Sequence, residues 1–220
     1  MKKYLTIIAI AFFVLSHPVS SLAGQGGRQA KQEVTEAGSY DLSTTEVEYL
    51  TFMREEEKLA RDVYLTLFAR WGLPIFENIA ASEQSHTNAV ANMLDYYKLP
   101  DPVVDDTIGV FVNQELADLY HFLVNEQNDI DVDGKVDVMD ALYIGALIEE
   151  VDMEDIQHAI DATDHEDIAE LYNTLMCGSR NHLRAYVGQI EDRGDVYTAQ
   201  VLSQEEVDAI VNSPMERTCR

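Results

Sequence analysis

Cysteine is nearly missing: Cys177 and Cys219 are the only two in 220 residues, and no Cys-x-x-Cys pair occurs. That excludes a zinc ribbon and any thiolate-held iron site of the chain's own. The two thiols can bridge in an oxidising compartment or stay unpaired, and the sequence leaves both open. Basic residues are scarce as well, 15 Lys and Arg against 40 Asp and Glu, for a formal charge of -25. Such a surface repels nucleic acid and anionic membrane and attracts cations, so metal ions are expected partners and nucleic acid is not.

Long apolar runs are lacking too, with one exception at the start. Lys2 and Lys3 precede an apolar run from Tyr4 to Leu15, and small residues at Ser21 and Ala23 precede Gly24. This pattern reads as a secretory signal peptide over residues 1–23, too short for a membrane span of about 20 residues. No Cys stands at the cleavage point to take a lipid. The mature chain, at -27 without Lys2 and Lys3, is therefore expected to be exported, secreted or periplasmic, with no membrane association. Residues 24–41 are polar and aperiodic, a leader. Residues 42–212 are expected to form one domain, and 213–220 a tail.

What is abundant is helical periodicity interrupted by acids and imidazoles. Ser43 and Glu46 form a capping box that opens a first helix running to about Trp71, with Gly72 as its stop and Pro74 starting the second. On the first helix Met53, Glu57, Ala60, Tyr64, Leu67 and Trp71 share one face. On the second, which runs to about Lys98, Ile79, Glu83, His86, Val90, Met93 and Tyr97 do so. A third helix, from about Val138 to Ala162, places Leu142, Gly145, Glu149, Asp152 and Ile156 together. A fourth, from near Asp164 to Asp192, places Leu175, Ser179, His182 and Tyr186 together, with Asp164 and Asp167 expected to serve its first amides. A final short helix starts at Ser203, boxed by Glu206. Glu56 competes with Glu57 for the inward position, and Glu150 with Glu149.

Burying an ionised carboxylate costs several kcal/mol, roughly, unless something compensates, and a metal cation compensates most strongly. Acid or imidazole near the middle of four separate stripes therefore predicts an all-α antiparallel four-helix bundle with metal at its centre. The one long link, between the second and third of these helices, is the ferritin-like arrangement. The expected ligands are Glu57, Glu83, His86, Glu149 and His182. Asp152 replaces the acid that the fourth helix lacks at Ser179. Four carboxylates and two imidazoles suit two iron or manganese ions.

The long link carries a second pattern. Asp129, Asp131, Asp133, Gly134, Lys135 (through its carbonyl), Asp137 and Asp140 fall at positions 1, 3, 5, 6, 7, 9 and 12 of an EF-hand-like calcium loop, residues 129–140. It closes on Asp140 where a Glu is usual, and so resembles the loops of dockerin modules; one bound calcium is expected.

Four runs carry a family likeness: FMREEEKLARDVY (Phe52 to Tyr64), LPIFENIAASEQSH (Leu73 to His86), IGALIEEVD (Ile144 to Asp152) and GSRNHLRAYV (Gly178 to Val187). They resemble a functionally uncharacterised family of the ferritin-like superfamily, distantly similar to rubrerythrins, over most of Leu42 to Val211. The resemblance implies a di-metal carboxylate bundle and assigns no activity; the calcium-type loop looks like an insertion. The leading functional expectation is a di-iron oxidoreductase acting on oxygen or peroxide and served by an external electron donor. The alternative is a non-catalytic metal- and calcium-binding structural or interaction protein.

Overall fold

The computed structural model describes residues 42–126, 138–217 and 219. The signal segment (1–23), the leader (24–41) and all of the calcium loop before Val138 (Asp129, Asp131, Asp133, Lys135 and Asp137) lie outside the described residues. Asp140 falls in the first turn of a helix. The described chain is all-α: α1 (Thr44–Trp71), α2 (Pro74–Tyr96), α3 (Gln114–His121), α4 (Val138–Asp161), α5 (Glu166–Glu191) and α6 (Gln204–Val211). A π-helical turn, Phe122–Glu126, continues α3.

Local chemistry sets the ends. Ser43 caps α1 in a reciprocal box with Glu46, and Gly72 stops it at φ 63°, a left-handed conformation that costs glycine little. Pro74 then begins α2 after one intervening residue, which forces a tight reversal. Ser203 and Glu206 repeat the box at α6. The start of α5 departs from the expectation. His165 occupies the cap without a side-chain bond and the Asp164 amide donates to Glu46 of α1 at 3.3 Å, while Asp167, as expected, accepts from a first-turn amide, that of Ile168 at 3.0 Å, and also from the Tyr97 hydroxyl at 2.9 Å.

The four long helices are neighbours in pairs: α1 with α2, α4 with α5, α1 with α4, and α2 with α5. Side-chain contacts give the directions. Glu57 meets His86 while Arg61 meets Gln84; Ser82 meets His182 while Tyr97 meets Asp167. Both pairs are antiparallel. In α4 and α5, Asp152 meets Ser179 while Gly145 abuts Tyr186, again antiparallel. Leu50, Met53, Leu67, Phe76, Leu142 and Ile156 fill the space between them. No described helix is long and apolar enough to cross a membrane.

The described part of the link after α2 lies against α1, and this explains a burial pattern that periodicity did not predict. Every residue of α1 from Met53 to Tyr64 is buried, charged ones included. Lys58 and Asp62 are both 0% exposed and pair at 2.6 Å. The Lys58 ammonium also donates to the carbonyls of Thr107 and Val110, each at 3.0 Å, and lies 4.4 Å from the Phe111 ring centre. Asp62 accepts from the Gly109 amide, Glu55 from the amides of Val112 and Asn113, and Arg54 donates to Asp101. This row of charges is thus the seat of the described part of the crossover.

The tail is fastened to α5. Cys177 and Cys219 form a disulfide, which closes the question left open by their number. Glu216 pairs with Arg180 and Arg184. α6 packs on α5 and buries Val207.

Candidate metal centre

Two buried groups of ligand-bearing side chains meet in the core: Glu57, Glu83 and His86, and Glu83, Glu149 and His182. Within each group the donor atoms lie no more than 4.8 Å apart, the span expected of donors around a cation at about 2.0–2.3 Å. α1 supplies Glu57, α2 Glu83 and His86, α4 Glu149 and α5 His182. Glu57 and Glu149 are 1% exposed, Glu83 2%, and the two imidazoles 9% and 7%.

Glu83 belongs to both groups. Its Oε2 is 2.8 Å from Nδ1 of His86, and its Oε1 is 2.7 Å from Nδ1 of His182. Glu57 Oε2 lies 3.2 Å from the first nitrogen and Glu149 Oε2 3.3 Å from the second. The rings are stacked with centres 5.5 Å apart. Supporting contacts fix the outer atoms: His182 Nε2 shares a hydrogen bond with Ser82 Oγ at 2.9 Å, and the Tyr64 hydroxyl donates to Glu149 Oε1 at 2.5 Å. Such contacts orient ligands and raise their basicity.

Three buried atoms here, Glu57 Oε1, Glu83 Oε1 and His182 Nδ1, have no hydrogen-bond partner among the described residues. The last two are within bonding distance of each other yet lack hydrogen-bond geometry. Electron-pair donors aimed at a common cation produce that arrangement at Glu83 and His182, whereas His86 Nδ1 and Glu57 Oε2 are within hydrogen-bond reach of each other. The residues present therefore fit a metal.

The electrostatics point the same way. Burial pushes Glu57 up to about 7 despite the pull of His86. Burial and the charges of Glu57, Glu149 and Glu83 hold Asp152 well above the carboxylate range. Burial also raises Glu149. Burial acts against the imidazolium forms, but the neighbouring carboxylates overcome it and raise His86 well above its usual value and His182 to about 10. Burial opposes ionisation of Glu83 as well, and the two imidazoles reverse the sign and lower it. A dry cluster with more acids than bases must take up protons or cations.

The remaining expected residues are placed as follows. Asp152 is buried beside the groups but in neither of them, and its carboxylate accepts from Ser179 of α5. Glu56 is buried and turned toward Asp155. Glu150 accepts from the Tyr197 hydroxyl and from the amides of Gln200, Val201 and Leu202, so it anchors the strand of chain before α6. The face that holds the two groups thus uses Glu57 and Glu149, while their neighbours do structural work. Ser82 and Gly178 were not singled out in the sequence. Ser82 sits at the edge of the stripe, at helical spacing from both Ile79 and His86, but a serine there carries no signal of its own. Gly178 did give one, since a mid-helix glycine costs about 1 kcal/mol against alanine and marks a close approach. A Cβ there would overlap Cε1 and Nε2 of His86.

Four long helices around buried carboxylates and imidazoles define an all-α protein with a candidate metal centre in its core. The chain belongs to the family described as Uncharacterized protein domain (DUF2202), which matches residues 46–214. It is 49% identical over 176 residues to Uncharacterized protein MJ0754 of Methanocaldococcus jannaschii, an alignment covering 80% of this chain and 91% of that protein. Its structure is similar to the crystal structure of hypothetical protein MJ0754 from Methanococcus jannaschii DSM 2661. The TM-score is 0.75 at 47% identity, and the match covers 83% of this chain and 100% of the other.

Proposed function

We propose that this chain is an exported di-metal carboxylate protein with the ferritin-like arrangement, an oxidoreductase acting on oxygen or peroxide. Two iron or manganese ions would be held by Glu57, Glu83, His86, Glu149, Asp152 and His182. The observation that carries the reading is Glu83, whose two oxygens face the Nδ1 atoms of two different imidazoles. One carboxylate so placed can serve two cations. Antiparallel neighbours with a single long link between α2 and α4 support the ferritin-like arrangement. The disulfide and the N-terminal pattern support export.

Bound iron or manganese supplies one-electron redox chemistry and open positions for an oxygen ligand. The chain's own residues prepare the place. Tyr64 holds one oxygen of Glu149 and leaves the other directed at His182. Ser82 fixes the outer nitrogen of His182. The core excludes water from the carboxylates. Both cysteines are spent on the disulfide, so electrons come from an external donor.

Anaerobic reconstitution with ferrous iron tests this. Two irons per chain, an absorbance change on admitting oxygen or peroxide, and loss of both in His86→Ala are expected; an H86A variant that keeps two irons would remove the centre. One observation favours a second reading, in which the metal is structural and nothing turns over. Asp152 is bonded to Ser179 and stands outside both groups, and a single inert ion per chain would select that reading. The loop at 129–140 is proposed to hold one calcium, and Asp133→Ala is expected to weaken calcium binding in titration calorimetry.

A further inference from the structure

His182 faces two ways. Its Nδ1 looks into the core, toward Glu83 and Glu149, while the residue also lines a cleft of about 570 Å³ on the outside of the α2–α5 seam. The cleft's apolar walls are Pro74, Ile75 and Ile79 from the first turns of α2, Ala185 from α5, and Met215 from the tail. Its polar members besides His182 are the carboxamides Asn78, Asn181 and Gln189. In a chain with 40 acidic residues, none of these lining side chains is an acid, and the one chargeable member, His182, is matched on its core side by Glu83 and Glu149. The tail wall is fastened in place. Asn181 bonds the backbone of Glu216 through both ends of its carboxamide, Glu216 pairs with Arg180 and Arg184, and Cys219 is bridged to Cys177.

The volume helps to choose the ligand class. Dioxygen or hydrogen peroxide needs about one or two water volumes of roughly 30 Å³ each. A cleft of 570 Å³ is in the range that holds organic ligands, about 300–1,000 Å³. An ion of either sign would leave water for apolar walls and neutral amides with no unmatched counter-charge, since His182 is already paired with Glu83 and Glu149 on its core side, at a cost of several kcal/mol by the usual desolvation penalty.

Building on the di-metal reading, we propose that this cleft is the substrate site of the centre and takes a small, uncharged organic molecule. Its apolar body lies on Ile75, Ile79, Ala185 and Met215, and its oxygen-bearing end reaches toward His182. The centre's opening is then the α2–α5 seam.

The probe is 2-phenylpropan-2-ol, with benzoate as its charged counterpart, titrated into isotopically labelled full-length mature protein with the disulfide intact and followed by NMR. In metal-free protein the alcohol is expected to shift the resonances of Ile79 and Ala185 and to bind at least tenfold more tightly than benzoate. After manganese loading, its methyl protons, next to the hydroxyl, should broaden more than its para ring proton. Ala185→Trp should weaken binding at least tenfold while leaving metal content and thermal midpoint unchanged; Ile75→Trp serves if that variant does not fold. Shifts elsewhere, equal affinity for benzoate, wild-type binding in the tryptophan variant, or uniform broadening would each overturn the proposal. Metal content is measured on the same samples. Probe binding without metal uptake would sink the di-metal reading, and this substrate role with it, and leave an isolated cleft. Metal uptake without probe binding would sink the cleft alone.

Discussion

Gly178 sets how near α5 can come to His86. Its missing Cβ is the space that the imidazole edge occupies, and no other residue type leaves that space. Gly178→Ala is expected to add about 1 kcal/mol of helix propensity to α5, yet to weaken manganese binding at least tenfold by displacing the ring; manganese titration beside thermal melting checks both signs. Much at this scale was legible in the sequence. The stripe spacing put Glu57 and Glu149 in line and left Glu56 and Glu150 as competitors, because helical phase fixes a side of the backbone only to within a neighbouring residue; the two buried groups contain Glu57 and Glu149. Tyr64 stood on the inward stripe beside the expected ligands, but its choice of Glu149, like the contact of Ser82 with His182, was not legible, since each pairs residues from different helices.

At the scale of elements, two latches hold the helices in register. The first seats the crossover on α1 through Lys58 and Asp62. Lys58→Met would leave Asp62 buried beside Arg61 alone among the cations that touch it. It is expected to cost about 3–5 kcal/mol, the usual penalty for removing one partner of a buried pair; urea unfolding checks it. The second latch joins the first turn of α1 to the start of α5. Glu46 accepts from Thr163 at 2.7 Å and meets His165 Nδ1 at 2.7 Å. Burial alone would raise Glu46, but the hydrogen bonds from Thr163, His165 and Ser43 hold it at about 2. Its contribution is whole above the ordinary 4.5 and is lost as pH falls from there toward 2. The hydrogen bond to Glu46 raises His165 above its ordinary 6.5, so its share is whole below 6.5 and is lost as pH rises through the folded value. Thermal midpoints are expected to respond to both windows, and Glu46→Gln should flatten them. Sequence reading found the capping box here and took Glu46 for a purely local cap, because its long-range partners arrive only when α4 and α5 fold back.

Over the whole molecule, the disulfide ties the tail to α5 across a sequence separation of 42. A loop of that size withholds about 4 kcal/mol of chain entropy from the unfolded state by the loop-closure account. Cys219→Ser is expected to lower the thermal midpoint by about 8–16 °C, at about 2–4 °C per kcal/mol for a chain of this size. Metal uptake should be unchanged, because neither cysteine belongs to the candidate centre. Calorimetry and metal analysis of that variant together check the prediction.

The sequence by itself determined the all-helical class, the capping boxes that open α1 and α6, and the inward stripes on which the acids and imidazoles stand, with Glu56 beside Glu57 and Glu150 beside Glu149 left as competitors. These follow from local periodicity and capping chemistry, which operate within a few residues. Only the tertiary structure decided that Glu83 faces both imidazoles, that Lys58 and its neighbours are buried under the crossover, and that Cys177 pairs with Cys219. Each of these depends on distances between segments far apart in the chain, and those distances exist only once the helices have packed.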